Sequence, residues 1–165
     1  MKQVALFGAG RIGRIHGGNV AVLPGVSLKV VCDPVAESAA QLAQQLGAAV
    51  STPEVVLADK SIDVVVIASP TDTHSAPTHR AAAAGKHIFC DKPLSVSLKE
   101  ADEMVAATRE AGVVMAVNYG RRWYPQYAEA RRMVRNGDLG PLSQIVVTSG
   151  GPRAMLWRNH THLID

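Results

Sequence analysis

The sequence has few cysteines, few aromatic residues and no long apolar run. Its two cysteines, Cys32 and Cys90, form no Cys-x-x-Cys pair, so we expect no disulfide framework, and a reducing cytoplasm fits best. No apolar segment reaches the ~18 residues that a membrane-spanning helix needs, so we expect no membrane partner. The N-terminal residues 1–7 run into glycines too early for a signal peptide.

The fractions of hydrophobic and charged residues are typical of a folded domain. Hydrophobic residues make up 47% of the 165 residues and charged residues 19%, which excludes a disordered chain. This length suits one ordinary domain, or one domain and part of a second.

Charge and aromatic residues are unevenly distributed along the chain. Residues 1–120 carry ten basic and eleven acidic side chains, whereas residues 121–158 carry seven arginines against two acids. Five of the seven aromatic residues lie after residue 118. We therefore predict two structural units, over residues 1–120 and 121–165.

Short β-branched runs alternate with longer alanine-rich stretches up to residue 117. The pattern predicts strands over residues 3–7, 27–32, 62–68, 86–90 and 113–117, and helices over residues 12–23, 36–46, 53–58, 73–84 and 97–111. Strands that alternate with helices form parallel βαβ units. The predicted fold class is therefore α/β, a doubly wound parallel-sheet Rossmann domain.

A different pattern follows residue 118. Pro125 suits the first turn of a helix that runs to Asn136, and Gly137 ends it. Residues 142–149 are rich in β-branched side chains and predict a strand. We interpret this strand as the truncated start of an α+β second domain, which would leave its edges unpaired.

Gly8-Ala9-Gly10-Arg11-Ile12-Gly13 is a Gly-x-Gly-x-x-Gly sequence between a predicted strand and a predicted helix. Gly8 permits a tight turn, Gly10 lets the backbone approach a pyrophosphate, and Gly13 lets the helix pack closely on the sheet. The helix N-terminus offers free N–H groups to the phosphates. This context favours a dinucleotide site over a glycine turn that binds nothing.

Asp33, twenty residues after Gly13, indicates which dinucleotide binds. Its carboxylate can accept hydrogen bonds from the adenosine ribose hydroxyls and would repel a 2′-phosphate. Pro34 and Val35 supply no cation to offset that repulsion. The predicted cofactor is therefore NAD.

Polar clusters follow the predicted strands, at the sheet edge where open α/β sheets bind ligands. They are residues 69–74, 90–93, 118–122 and 159–162. Asp91-Lys92-Pro93 is the most informative cluster, because a lysine suits the end of an apolar strand only if its ammonium faces a pocket. The Lys92–Pro93 bond is a candidate cis peptide.

Four strings resemble the Gfo/Idh/MocA family, the group of glucose–fructose oxidoreductase and inositol dehydrogenase, and its inositol 2-dehydrogenase-like branch in particular. They are Gly-Ala-Gly-Arg-Ile-Gly-Arg-Ile-His (8–16), Ser-Pro-Thr-Asp-Thr-His (69–74), Ala-Gly-Lys-His-Ile-Phe-Cys-Asp-Lys-Pro-Leu-Ser (84–95) and Thr-His-Leu-Ile-Asp (161–165). The resemblance extends over nearly the whole chain. Family members are roughly twice as long, which implies an incomplete C-terminal domain that supplies substrate contacts and a homo-oligomer interface.

The resemblance implies a role for each matching residue. The Glu-Lys-Pro motif of the family falls on Asp91-Lys92-Pro93, and its Asp-x-x-x-His-x-x-Asp motif falls on residues 158–165. Arg158 departs from the first acid of that pattern. The implied catalytic residues are Lys92, His162 and Asp165; the implied cofactor-binding residues are Gly8, Gly10, Arg11, Ile12, Gly13, Asp33, Ser69, Pro70, Thr71, His74, Asp91, Lys92 and Asn118.

The function expected from these residues is an NAD-dependent dehydrogenase of a polyol, inositol or sugar. His162 would take the hydroxyl proton, and Lys92 would stabilise the developing alkoxide. A non-catalytic NAD-binding sensor or interaction module is the alternative, favoured by Arg158 and by the short chain. We expect this chain to bind NAD without turning over substrate.

Several residues have a second interpretation. His74 is equally well explained as a capping or packing residue, whereas a structural role for His162 is the lesser alternative, which Arg158 strengthens. The arginine- and aromatic-rich segment 119–135 suits a cofactor and substrate mouth or a solvated helix face better than single-stranded nucleic acid. His160, His162 and Asp165 are too few for a metal site, so we expect no metal.

Overall fold

A computed structural model describes residues 1–148 of the chain. The strands are β1 (Lys2–Phe7), β2 (Val26–Cys32), β3 (Ala49–Val50), β4 (Val64–Ile67), β5 (His87–Cys90) and β6 (Met115–Val117). The helices are α1 (Arg11–Val22), α2 (Ala36–Leu46), α3 (Pro53–Ala58), α4 (Ser75–Ala83), α5 (Leu98–Glu110) and α6 (Pro125–Asn136). Short 3-10 turns cover Thr71–Thr73 and Gly120–Trp123. The chain divides into two compact units, Met1–Gly120 and a second unit that begins at Arg121.

The first unit is a six-stranded parallel sheet in the order β3-β2-β1-β4-β5-β6. The predicted doubly wound Rossmann fold is confirmed. The chain runs outward in one direction from β1 to β3 and then crosses over to β4 on the other side of β1. The gap between β1 and β4 is therefore the switch point at which such sheets bind ligands.

Both faces of the sheet are buried, which explains the continuous apolar strands. Alternate residues of β1 belong to two separate core clusters: Ala5 and Phe7 pack on one side with Ile67, while Val4 and Leu6 pack on the other with Leu42. Period-two alternation sends successive side chains to opposite faces. A strand covered by helices on both faces therefore shows no polar side.

Two sequence-based boundaries need correction. The helix predicted over residues 73–84 begins at Ser75 as α4, and a separate 3-10 turn over Thr71–Thr73 precedes it. The two-residue strand β3, which pairs with β2, was not predicted. Its alanine and valine carry too short a pattern for a strand, and only pairing with β2 defines it.

Ser97 and Glu100, three residues apart at the start of α5, have the spacing of a capping box, which forms in part. The Ser97 hydroxyl accepts the Glu100 N–H at 3.5 Å, as expected of an N-cap. The Glu100 carboxylate, however, accepts from the Ser95 hydroxyl at 2.6 Å, and that hydroxyl in turn accepts the Ser97 N–H at 3.1 Å. The Ser95 hydroxyl therefore links the Glu100 carboxylate to the Ser97 N–H, two groups that bond directly in a standard capping box.

In the second unit, α6 has the bounds that the sequence predicts, and Gly137 ends it with a φ of +78°. The strand predicted over residues 142–149 is not formed over residues 142–148, and Ser149 lies outside the described residues. A strand needs a hydrogen-bonded partner. No strand within residues 1–148 pairs with this segment. Among the described helices, none has the length and apolar character to cross a bilayer.

Candidate cofactor and active site

Several of the predicted site residues lie at one edge of the sheet because the strands end in register. Phe7 is paired with Cys32 and with Ile67, Ile67 with Cys90, and Cys90 with Val117. The next residue of each strand lies on the same edge; these residues are Gly8, Asp33, Ala68, Asp91 and Asn118.

The three glycines of the loop have different surroundings. Gly8 has a φ of +106°, and a Cβ there would stand 2.6 Å from the Ala68 carbonyl oxygen. A Cβ on Gly13 would collide with the carbonyl oxygen of Gly8, whereas one on Gly10 would meet no atom within 4 Å. Gly8 and Gly13 are therefore required by the packing of the fold. Gly10 leaves open space beside the backbone, as expected where a ligand approaches.

The N-terminus of α1 faces this open space. Gly10 is its N-cap residue and provides no side-chain hydrogen bond, and the first turn contains no acidic residue. The first N–H groups of a helix have no intrahelical partner and carry the positive end of the dipole. The combination suits a pyrophosphate. Ile12 is half-buried in this turn, and Arg11 is exposed.

Asp33 connects the end of β2 to the glycine loop. Its Oδ2 accepts the Ala9 N–H at 2.7 Å, and its Oδ1 accepts the Val35 N–H at 2.8 Å. The carboxylate is half-buried at the site edge and shapes the loop directly. Sequence spacing predicted its position but not the bond to Ala9, which joins residues 24 apart.

The segment after β4 contains three predicted cofactor contacts that remain accessible and one that is buried. Ser69 and Thr71 are half-buried and Pro70 is exposed, while His74 is only 1% exposed. The His74 Nε2 lies 2.9 Å from the Ser69 carbonyl oxygen, and its Nδ1 lies 3.1 Å from that of Pro93. These contacts join two loops of the site and favour the packing interpretation of His74.

The Asp-Lys-Pro cluster combines a buried acid with an exposed lysine. Asp91 is 9% exposed, and its Oδ1 accepts a hydrogen bond from Asn118 Nδ2 at 2.9 Å. Lys92 is exposed, and within residues 1–148 no hydrogen bond or ion pair engages its ammonium. The Lys92–Pro93 peptide bond is cis, as the sequence suggested. Lys92 is thus available to a ligand in a way that Asp91 is not.

The environment of Asp91 keeps it ionised. Burial by itself raises the pKa of Asp91, but hydrogen bonds from His16, Asn118 and the Lys92 backbone N–H outweigh burial and hold the pKa below its usual value. His16 was not singled out from the sequence, because it lies 75 residues before Asp91. The only signal was its place at the end of the nucleotide-loop string.

The remaining predicted catalytic residues, His162 and Asp165, lie outside the described residues, as do Arg158 and His160. Within the second unit, a surface depression is lined by Arg121, Arg122, Tyr127 and Arg131, all of them exposed. Among residues 1–148, no three His, Cys, Asp or Glu side chains are grouped as metal ligands would be.

The described residues fit NAD. The open space beside Gly10, the uncapped helix N-terminus and the carboxylate of Asp33 lie at the carboxyl edge of the sheet, after β1 and β2 and next to the switch point. A family model described as "Oxidoreductase family, NAD-binding Rossmann fold", GFO_IDH_MocA, matches residues 2–119. The chain belongs to the Gfo/Idh/MocA family.

Similar proteins of this Gfo/Idh/MocA family have inositol dehydrogenase names. The scyllo-inositol 2-dehydrogenase (NAD(+)) of Bacillus subtilis is 40% identical over 141 residues, which cover 84% of this chain and 41% of the relative. The myo-inositol 2-dehydrogenase of Thermotoga maritima is 31% identical over 152 residues, covering 91% of this chain and 46% of the relative. This Gfo/Idh/MocA chain therefore spans about half the length of the curated relatives it matches.

Solved structures of the Gfo/Idh/MocA family share the fold. A putative myo-inositol dehydrogenase from Sinorhizobium meliloti superposes with a TM-score of 0.80 at 32% identity, covering 85% of this chain and 43% of that one. GenD2 from gentamicin A biosynthesis, solved in complex with NAD, has a TM-score of 0.79 at 31% identity and covers 83% and 40%. The predicted cofactor, NAD, is thus supported by the family and by its structures.

Proposed function

We propose that the protein carrying these residues is an NAD-dependent oxidoreductase that oxidises a secondary alcohol of a polyol, inositol or sugar. One observation carries the proposal. The nucleotide loop, Asp33 and the exposed Lys92 stand at the carboxyl edge of the same parallel sheet, on both sides of its switch point. The names of the inositol dehydrogenase relatives favour a cyclic polyol as substrate.

The chemistry divides between the cofactor and the protein. Bound NAD supplies the nicotinamide that accepts the hydride from the alcohol carbon. The ammonium of Lys92 donates a hydrogen bond to the reacting hydroxyl and stabilises the negative charge that develops on its oxygen. His162 takes the hydroxyl proton as general base, and a carbonyl forms at the carbon that loses the hydride. Asp165, three residues after His162, orients the imidazole ring.

A second candidate function is a non-catalytic NAD-binding sensor or interaction module. The observation that favours it is Arg158, which stands where the family motif has an acid. A cation beside His162 would oppose the positive charge that a general base acquires. The sensor function predicts tight NAD binding and no turnover on any polyol.

Substitution of Lys92 tests the dehydrogenase function in the full-length gene product. Lys92→Ala should lower turnover of a polyol panel about 100-fold or more, because the developing alkoxide loses its partner, while the affinity for NAD stays nearly unchanged. Formation of NADH, followed by its absorbance, measures turnover, and calorimetric titration measures affinity. Lys99→Ala, at an exposed lysine of α5, is the matched control. Equal turnover of the Lys92 and Lys99 variants would overturn the role of Lys92.

We further infer that residues 1–165 alone bind NAD but do not oxidise substrate. The chain spans 41% of the scyllo-inositol 2-dehydrogenase and 46% of the myo-inositol 2-dehydrogenase described above, so a large part of each relative has no counterpart in residues 1–165. Polyol-dependent NADH formation by the 165-residue chain would contradict this inference. Binding of NAD with no turnover by the full-length product as well would instead favour the sensor.

A further inference from the structure

Three polar side chains from distant parts of the sequence meet beside Lys92. His16 lies on α1, Asp91 directly follows β5 and Asn118 directly follows β6. Asn118 Nδ2 donates to Asp91 Oδ1 at 2.9 Å, while His16 Nε2 lies 3.5 Å from the same oxygen and 3.4 Å from Asn118 Nδ2. Each side chain of this group therefore contacts the other two.

The His16 ring is held in place by an aromatic contact as well. The edge-to-face contact with Phe89 has a centroid distance of 5.4 Å and an interplanar angle of 81°. Phe89 belongs to β5, two residues before Asp91, so the same strand orients the ring and presents the carboxylate. An imidazole nitrogen can donate to Asp91 or accept from Asn118, depending on its tautomer, and both arrangements keep the group connected.

The carboxylate of Asp91 is buried and contacts groups of the protein. It is 9% exposed, and its partners are His16, Asn118 and the backbone N–H of Lys92. The family motif has glutamate at this position, whereas aspartate is one methylene shorter and keeps its carboxylate close to the backbone. These contacts suit an internal anchor better than a cofactor ligand.

We propose that His16, Asp91 and Asn118 form a positioning network that fixes the backbone of Lys92 at the end of β5. The network joins α1, β5 and β6, so movement of Lys92 away from the site requires the breaking of contacts to two other elements. His16 is then a positioning residue, acting through Asp91 and not on the substrate. This inference rests on the proposed function, in which Lys92 contacts the reacting hydroxyl.

Nuclear magnetic resonance can test the network without any cofactor. In the labelled 165-residue chain, we expect the Lys92 backbone amide resonance to titrate with the same midpoint as the Asp91 carboxyl carbon. Among residues 1–148, the ionisable groups that face Asp91 are His16 and the buried thiol of Cys90, whose pKa burial and the Asp91 charge raise to about 12. Cys90 therefore stays neutral throughout the acid range, and His16 is the group to vary.

Two substitutions of His16 separate positioning from packing. His16→Phe keeps an aromatic ring against Phe89 but removes Nε2, and should raise the Asp91 midpoint by about 0.5 pH unit or more. His16→Gln retains an amide near the position of Nε2 but not the charge of the ring, and should therefore recover part of the midpoint shift. Asn118→Ala removes the 2.9 Å hydrogen bond from the other side and should act like His16→Phe. His79→Phe, on α4, is the control variant.

Turnover of the full-length gene product provides the second measurement. His16→Phe should lower kcat by about 10- to 100-fold, with KM for NAD changed less than about twofold, because a misplaced catalytic group affects chemistry more than cofactor binding. His16→Gln should recover most of the loss. A lower kcat that His16→Gln does not recover would indicate packing and overturn the proposal.

The two proposals fail in distinguishable ways. A Lys92 amide that does not follow the Asp91 titration, or an Asp91 midpoint that His16→Phe and Asn118→Ala leave unchanged, overturns the network whatever the enzyme does. Absence of polyol oxidation by the wild-type full-length product overturns the proposed function, and the amide titration then decides the network by itself.

Discussion

At the scale of single residues, exposure to water separates groups that hold the site together from groups that a ligand can reach. Asp91 and Lys92 are adjacent, yet the acid is buried among three hydrogen-bond donors and the lysine is exposed. His74 is buried like Asp91 and connects the loops after β4 and β5 through backbone carbonyls. At this edge of the sheet, Asp91 and His74 therefore connect parts of the protein, whereas Lys92 is accessible to a ligand.

The lowered pKa of Asp91 predicts how stability depends on pH. Burial raises this pKa. The contacts with His16, Asn118 and the Lys92 N–H lower it by more than burial raises it, so the folded-state value lies below the ~3.9 of an unfolded chain. The unfolded state then binds the proton more readily than the folded state. The contribution of Asp91 is present above the unfolded pKa and is lost as pH falls through the folded pKa.

Asp91→Asn should therefore flatten the acid side of the stability profile. We expect the free energy of unfolding to fall less between about pH 5 and pH 2 in Asp91→Asn than in the wild type. Urea unfolding at each pH measures it. Asp102→Asn, at an exposed acid of α5, is the control. Parallel acid limbs for wild type and Asp91→Asn would show that this carboxylate is not held in its ionised form.

At the scale of elements, the glycines within α1 and directly before it differ in whether other atoms lie close to them. A side chain on Gly13 would strike the backbone of Gly8, and one on Gly17 would stand 2.7 Å from Leu46 Cδ1. A side chain on Gly10 or Gly18 would meet nothing within 4 Å. Packing against the backbone therefore requires glycine at position 13, whereas the side chains around Gly17 can move and Gly10 and Gly18 face open space.

Alanine substitutions along α1 should separate stability from cofactor binding. Gly13→Ala should cost about 1–3 kcal/mol of unfolding free energy, because a backbone contact cannot yield as a flexible side chain does. Gly10→Ala should leave stability nearly unchanged and weaken NAD binding about tenfold or more, which corresponds to ~1.4 kcal/mol. Thermal unfolding and calorimetric titration measure the two effects.

Gly18→Ala is the matched control for both variants. It lies within α1 on open space, so it should raise stability by about 0.5–1 kcal/mol and leave NAD affinity unchanged. Wild-type NAD affinity in Gly10→Ala would show that the cofactor does not approach the loop at that position.

At the scale of the whole molecule, the parallel sheet buries both cysteines. Cys32 is 3% exposed and Cys90 is fully buried. Burial, together with the charge of Glu54 near Cys32 and of Asp91 near Cys90, raises the pKa of each thiol to about 12. A thiolate is the reactive species, so neither sulfur is activated in the folded state.

Thiol labelling should therefore report the folding of the first unit. At pH 8 we expect a disulfide reagent such as Ellman's to modify neither cysteine of the native protein over minutes, and both after denaturation in urea. The absorbance of the released thiolate counts the modified residues. Rapid modification of one thiol in the native protein would show that its strand end opens to solvent.

Much of the fold could be predicted because its signals are local. α2, α3 and α6 have the bounds that the sequence predicts, since proline, glycine and alanine periodicity act within a few residues. The sequence analysis missed β3 and predicted a strand over residues 142–149 that is not formed over residues 142–148. Both errors have one cause. A strand exists only through its partner, and the partner is set by the tertiary fold.

The sequence by itself determined that this chain has a dinucleotide loop, an acid after the second predicted strand and a lysine after the fourth predicted strand. Each of these follows from a residue type at a short, fixed spacing. Only the tertiary structure decided what those residues contact. It buried Asp91 against His16 from 75 residues away, placed His74 between two loops, and made Lys86 a buried donor to the carbonyls of Asp59 and Ile62. Hydrogen bonds and burial depend on distance in space, and the order of residues along the chain does not encode that distance locally.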